Sequence, residues 1–175
     1  MISSSVDEAR GTIILCDSIH PTIDGKWIIV GTYTNWWSKK PSIKLEQGVG
    51  CYVRFQVERI LNAASWKIVL FDSATSPNGE KIIEISGSAD VRDPNTPVEA
   101  GLILPEFVVN SPVPNEDIPL GTRVALRYRV WLILEDKPIA SCPLNVYFLN
   151  PQETNHYAAL TDAPSKGRSD KPAEQ

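Results

Sequence analysis

Cys16, Asp17 and His20 stand close together near the amino terminus, with Asp24 just beyond them. A thiol, a carboxylate and an imidazole are the parts of a nucleophile activated by a neighbouring base. Their setting argues against that use. The residues around them read as a strand, and alternation along a strand sends Cys16 and Asp17 to opposite faces. The only other histidine, His156, lies in a polar carboxy-terminal stretch. No GxSxG, HExxH or phosphate-cradling glycine loop is present. No catalytic residue is therefore expected. Asp17 is expected as a buried or half-buried carboxylate that fixes the turn from Ser18 to Gly25.

Cys16, Cys51 and Cys142 are the three cysteines, each inside a strand-like run and none in a CxxC pair. They are expected to be buried free thiols behaving as small hydrophobes. Zinc ligands come in close pairs on turns, so the sequence predicts no metal and no cofactor.

Residue types suited to binding are easier to find. Adjacent residues of a strand face opposite ways, so at most one of Trp36 and Trp37 can enter a core. The other is expected to be exposed beside Lys39 and Lys40. Exposed tryptophan is common at protein interfaces and in sugar-stacking sites. A second candidate is the row Arg123, Arg127, Arg129 and Trp131, to which a neighbouring strand can add Tyr52, Arg54 and Gln56. Cationic rows with aromatics hold carboxylates, phosphates or acidic peptides through forked hydrogen bonds. The ordinary alternative is that they pair with Glu and Asp on adjacent strands.

These candidates depend on the elements that carry them. From Thr122 to Leu134, Val124, Leu126, Tyr128, Val130, Leu132 and Leu134 share one parity, and the arginines take the other. Glu135-Asp136-Lys137 turns the chain, and Ala140, Cys142, Leu144, Val146 and Phe148 return in step. Such a hairpin needs a second sheet against its apolar face. Further strands are predicted at 11–17, 26–33, 51–58, 66–72, 80–91 and 101–110, with Pro105 marking an edge or kink in the last. Asp24-Gly25 and Asn78-Gly79 are turn signals. Residues 62–65 are expected as a link and 111–119 as a long surface loop.

That pattern predicts an all-β chain of about eight strands. The expected architecture is an antiparallel β-sandwich, immunoglobulin-like in general shape, with a closed β-barrel as the alternative. One domain is expected over 11–149, between a flexible amino terminus at 1–10 and a disordered tail at 150–175. A net charge of −4 disfavours general nucleic-acid or anionic-membrane binding. No apolar run approaches the ~20 residues of a spanning helix, and no secretory signal opens the chain. A cytoplasmic protein is the expectation.

Leu15-Cys16-Asp17, then Asp24-Gly25-Lys26 and Ile28-Ile29-Val30-Gly31-Thr32-Tyr33, resemble the start of a family of small bacterial proteins with no assigned activity. Asp72, Asn78-Gly79 and the hairpin reaching Pro143-Leu144-Asn145-Val146 extend the likeness over roughly residues 12–148. The resemblance implies a cytoplasmic β-sandwich and no chemistry. Trp36-Trp37, the loop from Asn110 to Pro119 and the tail depart from the family pattern. The functional expectation is thus a non-catalytic module that binds another protein or itself. The alternative is a small-ligand or carbohydrate-binding domain that stacks on Trp36, Trp37 and Trp131.

Overall fold

The computed structural model describes residues 9–32, 34–44, 49–72 and 80–152. Among them no α-helix occurs, and the chain folds as eleven strands and one short 3-10 turn. The sequence explains the absence of helix: its apolar residues recur with a period of two, and its runs are rich in Val, Ile and aromatics.

Two sheets carry the fold. The first has the order β2-β1-β5-β8, built from Arg10–Pro21 (β1), Trp27–Thr32 (β2), Val49–Gln56 (β5) and Val98–Leu104 (β8). The second has the order β3-β11-β10-β6-β7. It comprises Asn35–Ser38 (β3), Leu61–Phe71 (β6), Lys81–Val91 (β7), Val124–Leu134 (β10) and Lys137–Phe148 (β11). A two-stranded ribbon of Ser42–Lys44 (β4) and Val108–Asn110 (β9) accompanies them. Neither main sheet closes on itself, so the barrel alternative is set aside and the fold is sandwich-like.

The core lies between the sheets. Leu15, Cys51, Val53 and Phe55 enter it from one side, and Ile68, Leu70, Val130, Leu132, Leu144, Val146 and Phe148 from the other. Alternation in the β10–β11 hairpin is as the sequence predicts up to Leu132; the register shifts there, and the turn is the shorter Glu135-Asp136, with Lys137 already in β11. Burying a large aliphatic or aromatic side chain contributes about 1.5–3 kcal/mol. This interleaved row is accordingly the main source of stability.

Several boundaries differ from expectation, each for a local reason. β1 runs on to Pro21, and its partner register continues to Pro21 opposite Trp27. Residues 62–65 belong to β6, where Ala63 takes a positive φ of 51° and the register shifts. The stretch 101–110 divides at Pro105 into β8 and β9, which sit in different sheets. The 111–119 loop is anchored, not loose. Asn115 is buried and its amide donates to the Leu149 carbonyl, while Asn150 donates to the carbonyls of Glu116 and Ile118. Asn150 is therefore part of the fold and not of a tail, and Arg10 already pairs with Gln56 in β1. The expected turn at Asn78-Gly79 and most of both expected flexible ends fall outside the described residues.

The β1–β2 hairpin bends over the outer face of its own sheet, and two glycines make room. A Cβ on Gly50 would stand 2.8 Å from the Cys16 sulfur. One on Gly101 would fall inside the indole of Trp27 and against Ile19. Side chains at either place would lift the hairpin off.

Candidate functional site

The outer face of the five-stranded sheet gathers most of the sequence-predicted binding residues in successive cross-strand rows. β3 runs parallel to β11, with Trp37 beside Tyr147 and Asn35 beside Asn145. β11 and β10 then place Tyr147 opposite Ala125, Asn145 opposite Arg127, Pro143 opposite Arg129 and Ser141 opposite Trp131. β6 completes the last two rows with Phe71 and Val69.

The first row forms an aromatic and cationic cluster. Trp37 and Tyr147 stack with centroids 4.4 Å apart and planes 24° from parallel. The Arg123 guanidinium lies 5.3 Å from the Trp37 ring and 4.9 Å from the Tyr147 ring. These three distances describe a nearly equilateral triangle, so the cation sits beside the stack and touches both rings. Trp37 nevertheless keeps 53% of its surface exposed. In the next row Asn145 donates to the Asn35 side-chain oxygen at 2.9 Å, and Arg127 stands exposed alongside.

Trp36 and Trp37 divide as strand alternation requires. Trp36 packs against the core and Trp37 faces out. Arg129 and Trp131 do not join the cluster. The Arg129 guanidinium lies 5.9 Å from the Trp131 ring and donates to the Ser141 hydroxyl at 2.9 Å. Both side chains are half-buried, and the Arg129 Nε and Trp131 Nε1 hydrogens find no acceptor.

Two expectations about this row fail. Tyr52, Arg54 and Gln56 lie on β5, in the opposite sheet, and so cannot extend it. The arginines also do not pair with carboxylates: among the described residues none of Arg123, Arg127 and Arg129 makes an ion pair. Arg123 lies against the Trp37 and Tyr147 rings instead, Arg127 faces Asn145, and Arg129 stands between Pro143 and Phe71. Arg54 does behave as the ordinary reading holds, pairing with Glu99 at 3.5 Å.

The thiol-carboxylate-imidazole group does not assemble a site. Cys16 is fully buried, and burial, followed by the Asp17 charge, pushes its thiol up and away from the reactive thiolate. Asp17 is exposed, contrary to expectation, and His20 is exposed as well. The turn is tied instead by Thr22, whose hydroxyl donates to Asp24 and accepts from the Lys26 N–H. Cys51 and Cys142 are buried free thiols, as expected. Among the described residues no group of three or more His, Cys, Asp or Glu side chains is placed to hold a metal ion. No helix there is long and apolar enough to cross a membrane.

Tyr147 is the member that sequence reasoning missed. Its parity was legible, since it alternates with the buried Val146 and Phe148. Its contact with Trp37 was not, because that depends on a parallel pairing between distant segments. No protein-family model matches the chain, and no curated protein matches it either.

Proposed function

We propose that this chain is a non-catalytic recognition module, an immunoglobulin-like sandwich that binds another protein through Trp37, Tyr147, Arg123 and Arg127. The strand order supports the fold assignment. Equating β1, β5 and β8 with strands A, B and E, and β6, β7, β10 and β11 with C, C′, F and G, reproduces the arrangement of an immunoglobulin sandwich without its D strand. The β2 hairpin, β3 and the β4–β9 ribbon are then additions. Kinship with the small bacterial family rests on the short motifs around Cys16-Asp17 and Gly25-Lys26, and a cytoplasmic setting is part of that proposal.

The observation that carries the functional reading is the exposed Trp37 held on Tyr147 beside an arginine that has no carboxylate partner among the described residues. Trp, Tyr and Arg dominate binding energy at protein interfaces, and a preformed stack loses little side-chain freedom on docking. The two unpaired guanidinium groups favour a partner surface bearing carboxylates, which they can grip by forked hydrogen bonds. The net charge of −4 disfavours nucleic acid and anionic membrane as the partner.

Proximity labelling in the native host compares the wild type with Trp37→Ala and Arg123→Ala. Both variants should lose the same labelled protein, with affinity for it reduced by at least about tenfold, the usual cost of a central hot-spot residue. An unchanged labelling pattern at wild-type melting temperature removes the patch from consideration. The alternative, sugar stacking on Trp37, is favoured only if a glycan array gives a hit that Trp37→Ala abolishes.

A further inference from the structure

We propose that the free edge of β2 is a self-association site, at which a second copy of this chain adds its own β2 in antiparallel register across a two-fold axis. This goes beyond the recognition patch and lies on the other sheet.

The hydrogen-bonding phase of β2 follows from its turn. The Thr22 N–H donates to the Lys26 carbonyl at 2.8 Å, so Thr22 and Lys26 form a bonded pair. Bonded pairs recur at every second residue, which directs the backbone groups of Ile28 and Val30 toward His20 and Ser18 of β1. Pro21, which has no N–H, falls opposite Trp27 in the intervening non-bonded position, in agreement with that phase. The N–H and C=O groups of Trp27 and Ile29 therefore point away from β1, along an edge where no further strand is found among the described residues.

From Trp27 to Val30 this edge lacks the features that usually prevent pairing; its one irregular backbone, Gly31 with a φ of 65°, lies beyond the residues that a partner strand would use. Over Trp27–Thr32 there is no charged residue and no proline. β7, by contrast, carries Lys81, Glu84 and Asp90 and breaks register with β6 twice. β8 carries Glu99 and is followed by Pro105. Beside the free backbone groups, Ile28 and Val30 present 51% and 49% of their surfaces to solvent. An uncharged edge flanked by exposed β-branched side chains is a template for another strand.

A second copy fits that template. With the axis at Ile28, Trp27 and Ile29 of one chain bond to Ile29 and Trp27 of the other, and every group used is an outward one. Ile28 meets Ile28 of the second copy at a non-bonded position, where side chains approach most closely. Val30 lies against the aliphatic stem of Lys26 of the second copy. The Lys26 ammonium is already satisfied by Asp24 at 2.9 Å, and no like charges face each other despite the net charge of −4. The result is one sheet of eight strands.

Sedimentation over protein concentrations from about 1 to about 300 µM, a range that brackets a micromolar association, reads the self-association directly. The expected species is a dimer of twice 19.4 kDa that forms with rising concentration. Val30→Lys should weaken it by at least about tenfold while leaving the melting temperature of the dilute protein unchanged. Ile28→Cys should cross-link to its copy under mild oxidation. Val30→Cys should not, because its counterpart lies four residues along the partner strand, about 13 Å away. A wild type that stays monomeric throughout overturns the proposal. So does a dimer that Val30→Lys does not affect, as expected if a different surface mediates it. Equal cross-linking of the two cysteine variants overturns the register on which it rests.

Discussion

The Cys51 thiol lies at the centre of the sandwich, and burial, with small additions from the neighbouring Cys142 and Cys16, pushes it up to about 12. Tyr128 is also pushed up to about 12, by burial first and then by the charge of Asp72. Both groups ionise more readily in the unfolded chain. Their contribution to stability is complete below the unfolded values, near pH 9 for the thiol and pH 10 for the phenol, and is lost as pH rises toward 12. The melting temperature should therefore fall by roughly 5 °C or more between pH 8.5 and 11, and Cys51→Val should flatten that decline. Calorimetry across that range checks it, and a flat profile would mean that neither group is desolvated as described. At this scale the sequence was informative about the thiols, because cysteines inside alternating runs are most simply core residues. It misled at Asp17, where the fixing of the turn was assigned to the wrong residue. Thr22 and Asp24 do that work, as short polar side chains adjacent to the bend itself.

Elements were legible where one face is buried and one is wet. β10 and β11 were readable almost residue by residue, since each slip in register would have moved every core side chain into water. Pro105 signalled a kink in the sequence, but nothing local could reveal that β8 and β9 belong to different sheets. The loop before β10 was harder still, because its order comes from two asparagines, Asn115 within it and the distant Asn150, that tie it to the end of β11. Asn150 donates to two carbonyls of that loop, at 3.1 and 2.8 Å, and accepts from the Gln152 N–H. Asn150→Ala leaves those buried carbonyls unsatisfied and should cost about 1–3 kcal/mol. Urea denaturation measures this directly. Asn150→Asp, which keeps the shape but removes the donor, should cost at least as much. If both variants match the wild type, burial of Ile118 and the Asn115 bond suffice to hold the loop.

Over the whole molecule, the pairing that no local pattern could disclose is β3 with β11. It joins residues 35–38 to residues 145–148 in parallel, through short backbone ladders and the Asn145-to-Asn35 bond. Contacts between such distant segments must overcome loop-closure entropy before they are rewarded, so they form late and open early. In native-state hydrogen exchange, the β3 amides bonded to β11 should exchange at least about tenfold faster than those of β10 under the same conditions. Equal protection would place β3 in the cooperative core. The row of Trp37, Tyr147 and Arg123 was half legible for the same reason: Arg123 and one of the two tryptophans could be read as outward-facing, but which tryptophan, and its meeting with Tyr147, depends on a join between the two ends of the fold.

That join gives the surface a property beyond its shape. Trp37 precedes Tyr147 by more than a hundred residues, so a product that ends before Tyr147 contains only half of the stack. A partner that needs both rings, as the proposed function holds, is thereby limited to polypeptides that have been made through to β11 and have closed. A copy that lacks β11, or has not closed, offers only the Trp37 indole, so occupancy of the proposed patch would report on closure of the fold.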